Sequence, residues 1–437
     1  MTVCSTIGDL FPTCKGRKIE ADFGGGNISS DAGVLLLRQA DRKLGLMKRV
    51  AKVWKDPREQ GKVDHPWESL LRQRVYAIAS GYEDLNDHDH LRHDLGLQTA
   101  VERDEQLASC STVHRAEQAA DSRAAWKITE VLIEAFIASH REAPEELILD
   151  FDATNDPVHG HQEGRFFHGY YDEYCFLPLY VFCGDQLLVA LLQPSKQDGA
   201  KYAPGILKRL VKRFREVWPE VRIILRGDSG FCRHRMLDWC DENDVGYIVG
   251  LAKNRRVEMA AWYPLNLAKL DHLETDKKIR RFTSVQYAAK TWSRKRRVLV
   301  KAECTTKGFN PRFVVTNLKG RARALYDGVY CARGDMENRI KEQQLGLFAD
   351  RTSCRRWWAN QLRLLLSSLA YVLMETIRRL GLKGTELERA QVGTLRLKLL
   401  KIGAIITRNT RRIRIRLSSA CPYQDLFMLV AKRLATA

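Results

Sequence analysis

Three carboxylates, Asp152, Asp228 and Glu337, stand where metal-assisted phosphoryl transfer would use them. The segment LILDFDAT (147–154) reads as a buried strand with acids on one face, and VRIILRGDSGF (221–231) as a second buried strand ending at Asp228. Residues two apart on a strand face the same way, so Asp150 and Asp152 share a face and differ in depth. Asp152 lies nearer the strand end, just before Thr154, and is the better ligand; Asp228 turns through Ser229 and Gly230, and strand ends are where α/β sheets display functional groups. Hard cations such as Mg²⁺ take oxygen ligands and keep waters, using a few carboxylates plus substrate phosphate. Two such ions about 4 Å apart activate the attacking oxygen and stabilise the leaving one in an in-line displacement. The expected cofactor is therefore Mg²⁺, with two ions and Mn²⁺ able to substitute.

The third acid belongs to YCARGDMENRIKEQQ (330–344), read as a helix. Tyr330, Arg333, Glu337, Lys341 and Gln344 follow steps of 3, 4, 4 and 3 and share one stripe. Met336, Ile340 and Leu347 form the apolar stripe that would anchor it. Arg333 is placed to steady a phosphate, with Tyr330 packed beside it. Each acid also has a plain reading: a strand-end Asp is commonly a turn cap, and Glu337 could pair with Lys341 at i, i+4. Their joint occurrence, on a chain of this charge, favours chemistry on a phosphodiester.

The 437 residues carry 72 Lys plus Arg against 53 Asp plus Glu, a formal net charge of +19. Such self-repulsion is best tolerated where a polyanion binds, so nucleic acid is the expected partner. The apolar fraction is that of a globular chain, which excludes a fibrous or mostly disordered one. Eleven cysteines without a Cys-x-x-Cys pair exclude zinc-finger and redox-motif spacings and fit reduced thiols in a cytoplasmic protein. MTVCSTIGDLFPTCKGRK lacks the apolar core of a signal peptide, and LLLSSLAYVLM (364–374) is too short to span a bilayer, so no membrane is expected.

Stepping along the chain, residues 1–145 read as mostly helical. One helix is expected from Ser30 or Asp31, another across PWESLLRQRVYAIASGY (66–82) with Gly81 as its stop, and STVHRAE (111–117) could open a DNA-recognition helix. His88, His90 and His93 match no standard metal spacing and read as a solvated surface. Gly24–Gly26 reads as a tight turn. From 146 to 254 the pattern is strands, first antiparallel and then joined through helices, one of them the cationic PGILKRLVKRFREVW (204–218); the result is a mixed α/β sheet. Residues 255–320 read as a basic, β-rich insertion, 321–385 as the second part of the core with the Glu337 helix, and 386–437 as a basic C-terminal region. There RRIRIRLSS would form an edge strand with Arg412, Arg414 and Arg416 on one side.

Several of these motifs together resemble a DDE transposase of a bacterial insertion sequence, in the branch whose Glu lies in a Tyr-x2-Arg-x3-Glu-x6-Lys signature. Here that reads Tyr330, Arg333, Glu337 and then Gln344 in place of Lys. LDFDATNDPVHGHQ, LRGDSGF, YCARGDMENRIKE and DRTSCRRWWANQLRLLLSSLAYVL are similar to the insertion-sequence group numbered thirteen-eighty, and the likeness runs from DFGGGNISSDAG to TLRLKLLKIGA. It implies an RNase H-like core with Asp152 and Asp228 on strands, Glu337 on a later helix, a β-rich insertion between, and a helical N-terminal DNA-binding region. It implies that these three acids are catalytic and hold the metal, and that Tyr330 and Arg333 contact DNA. Gln344 can still bond a phosphate without neutralising it, and Lys341 can substitute. Trp292 or Trp262 would hold a flipped base, though core packing is open to either. Arg412 and Arg414 would touch the DNA backbone. The implied function is binding of terminal inverted repeats, cleavage by metal-dependent hydrolysis and joining of the freed ends to target DNA, by a homodimer on DNA. The alternatives are a structure-selective nuclease on the same core without strand joining, and a non-catalytic DNA-binding descendant of a transposase.

Overall fold

A computed structural model describes residues 11–436; Cys4 and most of the segment MTVCSTIGDLFPTCKGRK lie outside the described residues. The chain forms two compact units, one from residues 1–119 and 373–437 and the other from 120–372.

The second unit is built on a nine-stranded mixed sheet. In chain order its long strands are β1 (Glu146–Ala153), β2 (Leu179–Cys183), β3 (Gln186–Leu191), β4 (Arg222–Gly227), β5 (Gly246–Leu251), β6 (Ile279–Tyr287), β7 (Arg296–Thr305) and β8 (Arg312–Thr316). Their order across the sheet is β6-β7-β8-β5-β4-β1-β2-β3, with the short Gly308–Phe309 strand on β7. The central pairs β1–β4 and β4–β5 are parallel and the rest antiparallel. This is the mixed α/β sheet the strand patterns predict.

Alternation gives the sheet two different faces. Leu147, Leu149 and Phe151 of β1, with Ile223 and Leu225 of β4, enter a large core closed by helices Ser122–Ala138, Ala203–Val217, His234–Glu242 and Trp262–Thr275. Ile148, Asp150 and Asp152 look the other way. On that second face Ile224, Ile248, Leu299 and Val314 pack with Leu325 and Tyr326. Helix Trp357–Thr376 covers Phe182 through Tyr371, whose ring meets it edge-on at 5.7 Å.

Residues 255–320 depart from the expected run of strands. They begin as two helices, Arg255–Ala260 and Trp262–Thr275, and their strands extend the main sheet by pairing Phe313 with Leu251. Leu265 and Ala268 supply the helical spacing that buries this segment against the core. The aromatic stretch after β1 also divides: Asp156–Pro157, Phe166–His168 and Glu173–Phe176 form a separate three-stranded sheet, while β2 and β3 join the large one.

The first unit is mainly helical. Helix Trp67–Ser80 ends at Gly81, whose φ of 100° only glycine adopts freely. The helix expected from Ser30 or Asp31 begins at Val34. Asp31 is drawn instead into bonds with Tyr82 Oη at 2.6 Å and Lys401 Nζ at 2.7 Å. The segment around STVHRAE forms helix Cys110–Gln118 here, and a separate helix of the second unit, Ser122–Ala138, follows it, capped by Asp121, which accepts from Ala124 N at 2.7 Å. Ile413–Leu417 is an edge strand, with Arg414 and Arg416 exposed on it and Arg412 exposed at its start. His88 differs from the surface reading: it is fully buried and bonded to Gln73, while His90 and His93 are exposed. Among the described residues the cysteines are free, and no helix is long and apolar enough to cross a membrane.

Candidate functional site

The parallel pairing of β1 with β4 brings two acids together. Asp150 lies opposite Arg226 and Phe151 opposite Gly227, so Asp152 and Asp228 follow one residue further, beyond the last paired rung. Asp228 caps the turn Ser229–Phe231, its Oδ1 accepting from Gly230 N at 2.8 Å. Asp152 Oδ1 accepts from Ala153 N at 3.0 Å, leaving Oδ2 for the site.

The third acid arrives on a less regular element than the residue spacing predicts. Leu325–Tyr330 and Glu342–Gly346 are wide π turns, Cys331–Arg333 is a tight 3-10 turn, and only Gly334–Lys341 between them is α-helical. Within that helix the i, i+4 pair is made by Arg333, not Lys341. Arg333 donates to Glu337 Oε1 at 2.5 Å and to Asp152 Oδ2 at 3.4 Å, a guanidinium bridge between two of the three acids. Lys341 is exposed. Gln344 points elsewhere, donating to the Asn155 carbonyl at 3.1 Å and so tying this element to the loop after β1.

Burial pushes the Asp152 carboxyl up to about 7 against the pull of Arg333, and the negative charges of Asp228 and Glu337 add to the rise. Arg333 is held above its ordinary value because Asp152 and Glu337 outweigh its own burial. Burial also raises the Tyr330 phenol, with Asp228 adding to it and Arg333 opposing. A half-buried carboxylate crowded by two others is the environment that a divalent cation relieves, and the oxygen-only donor set suits a hard ion. Among the described residues, no three such donors stand at metal-holding distance. Asp152 and Glu337 are instead spaced by the guanidinium that joins them.

Three further residues shape the site. Arg226 chelates Asp150 through Nε and through Nη2 at 2.6 Å, and its Nη1 donates to the Val329 carbonyl at 2.6 Å. Asp150 is thereby committed to a buried pair. Gly250 lies under the Tyr330 hydroxyl: a Cβ there would fall 2.7 Å from Tyr330 Oη and 2.8 Å from Ser229 N. Tyr171, in the turn of the small sheet, has its phenol raised by burial and Tyr170, then by Asp152 and Asp228. Arg226 was readable from LRGDSGF, since an arginine in a buried strand requires a partner on its own face. A glycine inside VGL marks close backbone approach. Nothing in HGYYDEY says which tyrosine turns toward the acids.

Other residues singled out by sequence lie apart. Trp292 packs edge-on against Tyr287 at 5.4 Å, under Arg296, beside the large core. That core belongs to the opposite face of the sheet from Asp152. Trp262 is exposed on a helix packed against the same core. The cationic helix Ala203–Val217 covers that face too. Arg412 and Arg414 belong to the other compact unit.

The model of the family described as transposase DDE domain, group 1, matches residues 11–437, and the chain belongs to that family. Enzymes of this kind cleave and transfer DNA strands with divalent metal ions. No curated protein matches the chain in sequence. Among solved structures, a piggyBac transposase synaptic complex with hairpin DNA is similar at 10% identity and a TM-score of 0.44, over 85% of this chain and 80% of that one. A likeness so remote carries no functional conclusion.

Proposed function

We propose that this chain is the transposase of a bacterial insertion sequence, of the Tyr-Arg-Glu-Lys signature branch and the group numbered thirteen-eighty, with an RNase H-like core. It binds the terminal inverted repeats, cleaves the DNA and joins the freed ends to target DNA, acting as a homodimer on its substrate. Asp152, Asp228 and Glu337 are the catalytic acids. The observation that carries this reading is the convergence of Asp152 and Asp228 at adjacent parallel strand ends, with Glu337 joined to Asp152 through Arg333.

The three acids are the groups that would hold Mg²⁺ or Mn²⁺. When bound, the metal supplies Lewis-acid polarisation of the phosphodiester and a more acidic attacking hydroxyl. Asp152, burdened by its neighbours, is the ligand most in need of positive charge. Arg333 keeps the acids apart and is positioned to exchange a carboxylate for a phosphate oxygen, which its planar fork accepts equally well. Tyr330 fixes the angle of the Arg333 element against Gly250. Gln344 holds the loop after β1, and exposed Lys341 is free to meet the DNA backbone. Residues 1–145 supply end recognition, with His114 and Arg115 on the open face of helix Cys110–Gln118. The basic strands of 255–320 and Arg412 and Arg414 of the C-terminal region 386–437 add sequence-blind backbone contacts.

The test is incubation of the full chain with a duplex carrying the element's end, with and without Mg²⁺, resolved on a denaturing gel. Cleavage and joined product are expected only with metal. Asp152→Asn, Asp228→Asn and Glu337→Gln should each abolish both while retaining end binding. Full nicking by any of the three overturns the assignment. Cleavage without joined product selects the nuclease alternative, and metal-independent binding with no product selects the DNA-binding descendant.

A further inference from the structure

Beside the acids stands a small aromatic hairpin. Phe166–His168 and Glu173–Phe176 pair antiparallel, with Phe167 opposite Tyr174. The turn between them is closed by the His168 carbonyl, which accepts from Tyr171 N at 3.1 Å and Asp172 N at 2.9 Å. Cys175, next to Tyr174, is buried, so Phe167 and Tyr174 form the outward pair. Their rings meet edge-on at 5.6 Å and are 53% and 48% exposed. At the tip Tyr170 is 85% exposed, standing edge-on to Tyr171 at 5.0 Å. Isolated exposed aromatics are common, but three presented by one hairpin need a partner.

The hairpin is fixed to the site. Asn155, three residues beyond Asp152, donates to Glu173 Oε1 at 2.6 Å, and its carbonyl receives Gln344. The same loop therefore holds the hairpin on one side and the Glu337 element on the other. At the hairpin's base, the Trp357 ring packs edge-on against Phe176 at 5.2 Å. Positive charge accompanies the rings: Arg165 lies over Tyr174 at 4.6 Å and Lys196 over Phe166 at 5.3 Å. The exposed carboxylate of the turn is Asp172.

Flat rings beside cations are the elements of single-strand nucleic-acid binding: bases stack on the rings and the cations follow the backbone. A paired duplex offers its base faces only at an end or a gap. We infer that the hairpin is a stacking platform for unpaired DNA nucleotides flanking the phosphodiester held at Asp152, Asp228 and Glu337, with Tyr170 and the Phe167–Tyr174 pair as the base-contacting surfaces. This rests on the proposed function for the identity of the DNA. It places the stacking rings on the hairpin side of the sheet, not at Trp292 or Trp262.

The experiment uses the full chain in EDTA, so binding is read without cleavage. Two probes share the same end duplex: one fully paired, the other with three unpaired nucleotides, including 2-aminopurine, at the cleavage position. Binding of the flapped probe should quench its fluorescence. Tyr170→Ala/Phe167→Ala should weaken that binding by roughly 5-fold or more, as loss of even one stacked base would. The paired probe should change by less than about 2-fold on the same scale. Tyr170→Trp should keep the quench, and Trp262→Ala/Tyr263→Ala should leave both probes unaffected. An equal loss for both probes, no loss, or an unquenched fluorophore overturns the inference. A flap-specific effect in a chain that fails to cleave would keep the platform and reject the transposase reading; the reverse result would reject only the platform.

Discussion

Replacing Arg226 tests whether the Asp150 pair is the frame on which the site is hung. Its side chain is 8% exposed and that of Asp150 2%, so neither charge has water to turn to. Arg226→Met leaves a carboxylate buried opposite an apolar chain, and the Val329 carbonyl loses its donor. Breaking a buried pair from one side costs about 3–5 kcal/mol, whereas replacing both partners by apolar groups of similar volume is often close to neutral. Urea unfolding of the full chain should therefore show Arg226→Met lowering the midpoint of the 120–372 unit by about 1 M or more, for a slope near the top of the usual range. Asp150→Leu/Arg226→Met should recover most of that loss. Cleavage should separate the two effects. Even the restored double variant lacks the bond to Val329, which adjoins Tyr330 and lies four residues before Arg333, so its rate should stay at least about 10-fold down, the equivalent of one lost positioning bond. A single-variant loss below about 1 kcal/mol, or a double variant as unstable as the sum of the singles, would refute the reasoning.

Other outcomes follow from neighbouring contacts. Gly250→Ala should destabilise the unit by about 1–3 kcal/mol and suppress cleavage, because the Ser229 amide cannot retreat; adding Tyr330→Phe should rescue only part of the midpoint, read by the same urea titration. Gln344→Leu removes the bond to Asn155 and should cost about 1 kcal/mol and slow cleavage, while Gln344→Lys, which keeps a donor, should do neither. In the other unit, burial and then Arg74 hold His88 down at about 3, against the pull of Asp89. Folded His88 stays neutral while the unfolded chain takes a proton near its ordinary value, so its contribution is present above about pH 6.5 and is lost as pH falls toward 3. Between pH 7 and pH 5 the loss should approach about 2 kcal/mol, and His88→Gln should flatten it in unfolding curves at the two pH values.

Much of the site was legible because its signals are local. The apolar runs ending at Asp152 and Asp228 announce strands, and alternation alone puts Asp150 and Asp152 on one face. The preference for Asp152 rested on depth; the pairing of Asp150 with Arg226 is a long-range contact that the local pattern does not display. What stayed hidden depends on partners distant in sequence. His88 looks like part of a polar loop until Gln73, itself locked to Ala108 by bonds of 2.8 and 3.0 Å, presents its remaining amide hydrogen to the ring. The 255–320 segment looks separate because its Lys and Arg dominate the composition, whereas the Phe313–Leu251 register that merges it with the sheet leaves no trace in local pattern. The stripe from Tyr330 to Gln344 was counted on a regular helix; with π turns at both ends, Arg333 turns to Glu337 and Asp152 while Gln344 turns to Asn155.

The two arginines near the acids illustrate how burial divides similar contacts into different roles. Both are guanidiniums held by aspartates two residues apart on β1. Arg226 is enclosed, bonded through both edges and joined to a backbone carbonyl, so releasing it would strand charges on each side. Arg333 is 20% exposed and bridges Glu337, itself 43% exposed, at one end and Asp152, 15% exposed, at the other. Water reaches that bridge, and each of its carboxylates can be given another cation without leaving a buried charge alone. The exchangeable arginine therefore sits between two of the three acids, while the fixed one is bonded to the Val329 carbonyl on the element that carries it. A site assembled from a strand, a turn and an irregular helix needs this asymmetry: a frame that does not yield and a counter-charge that does.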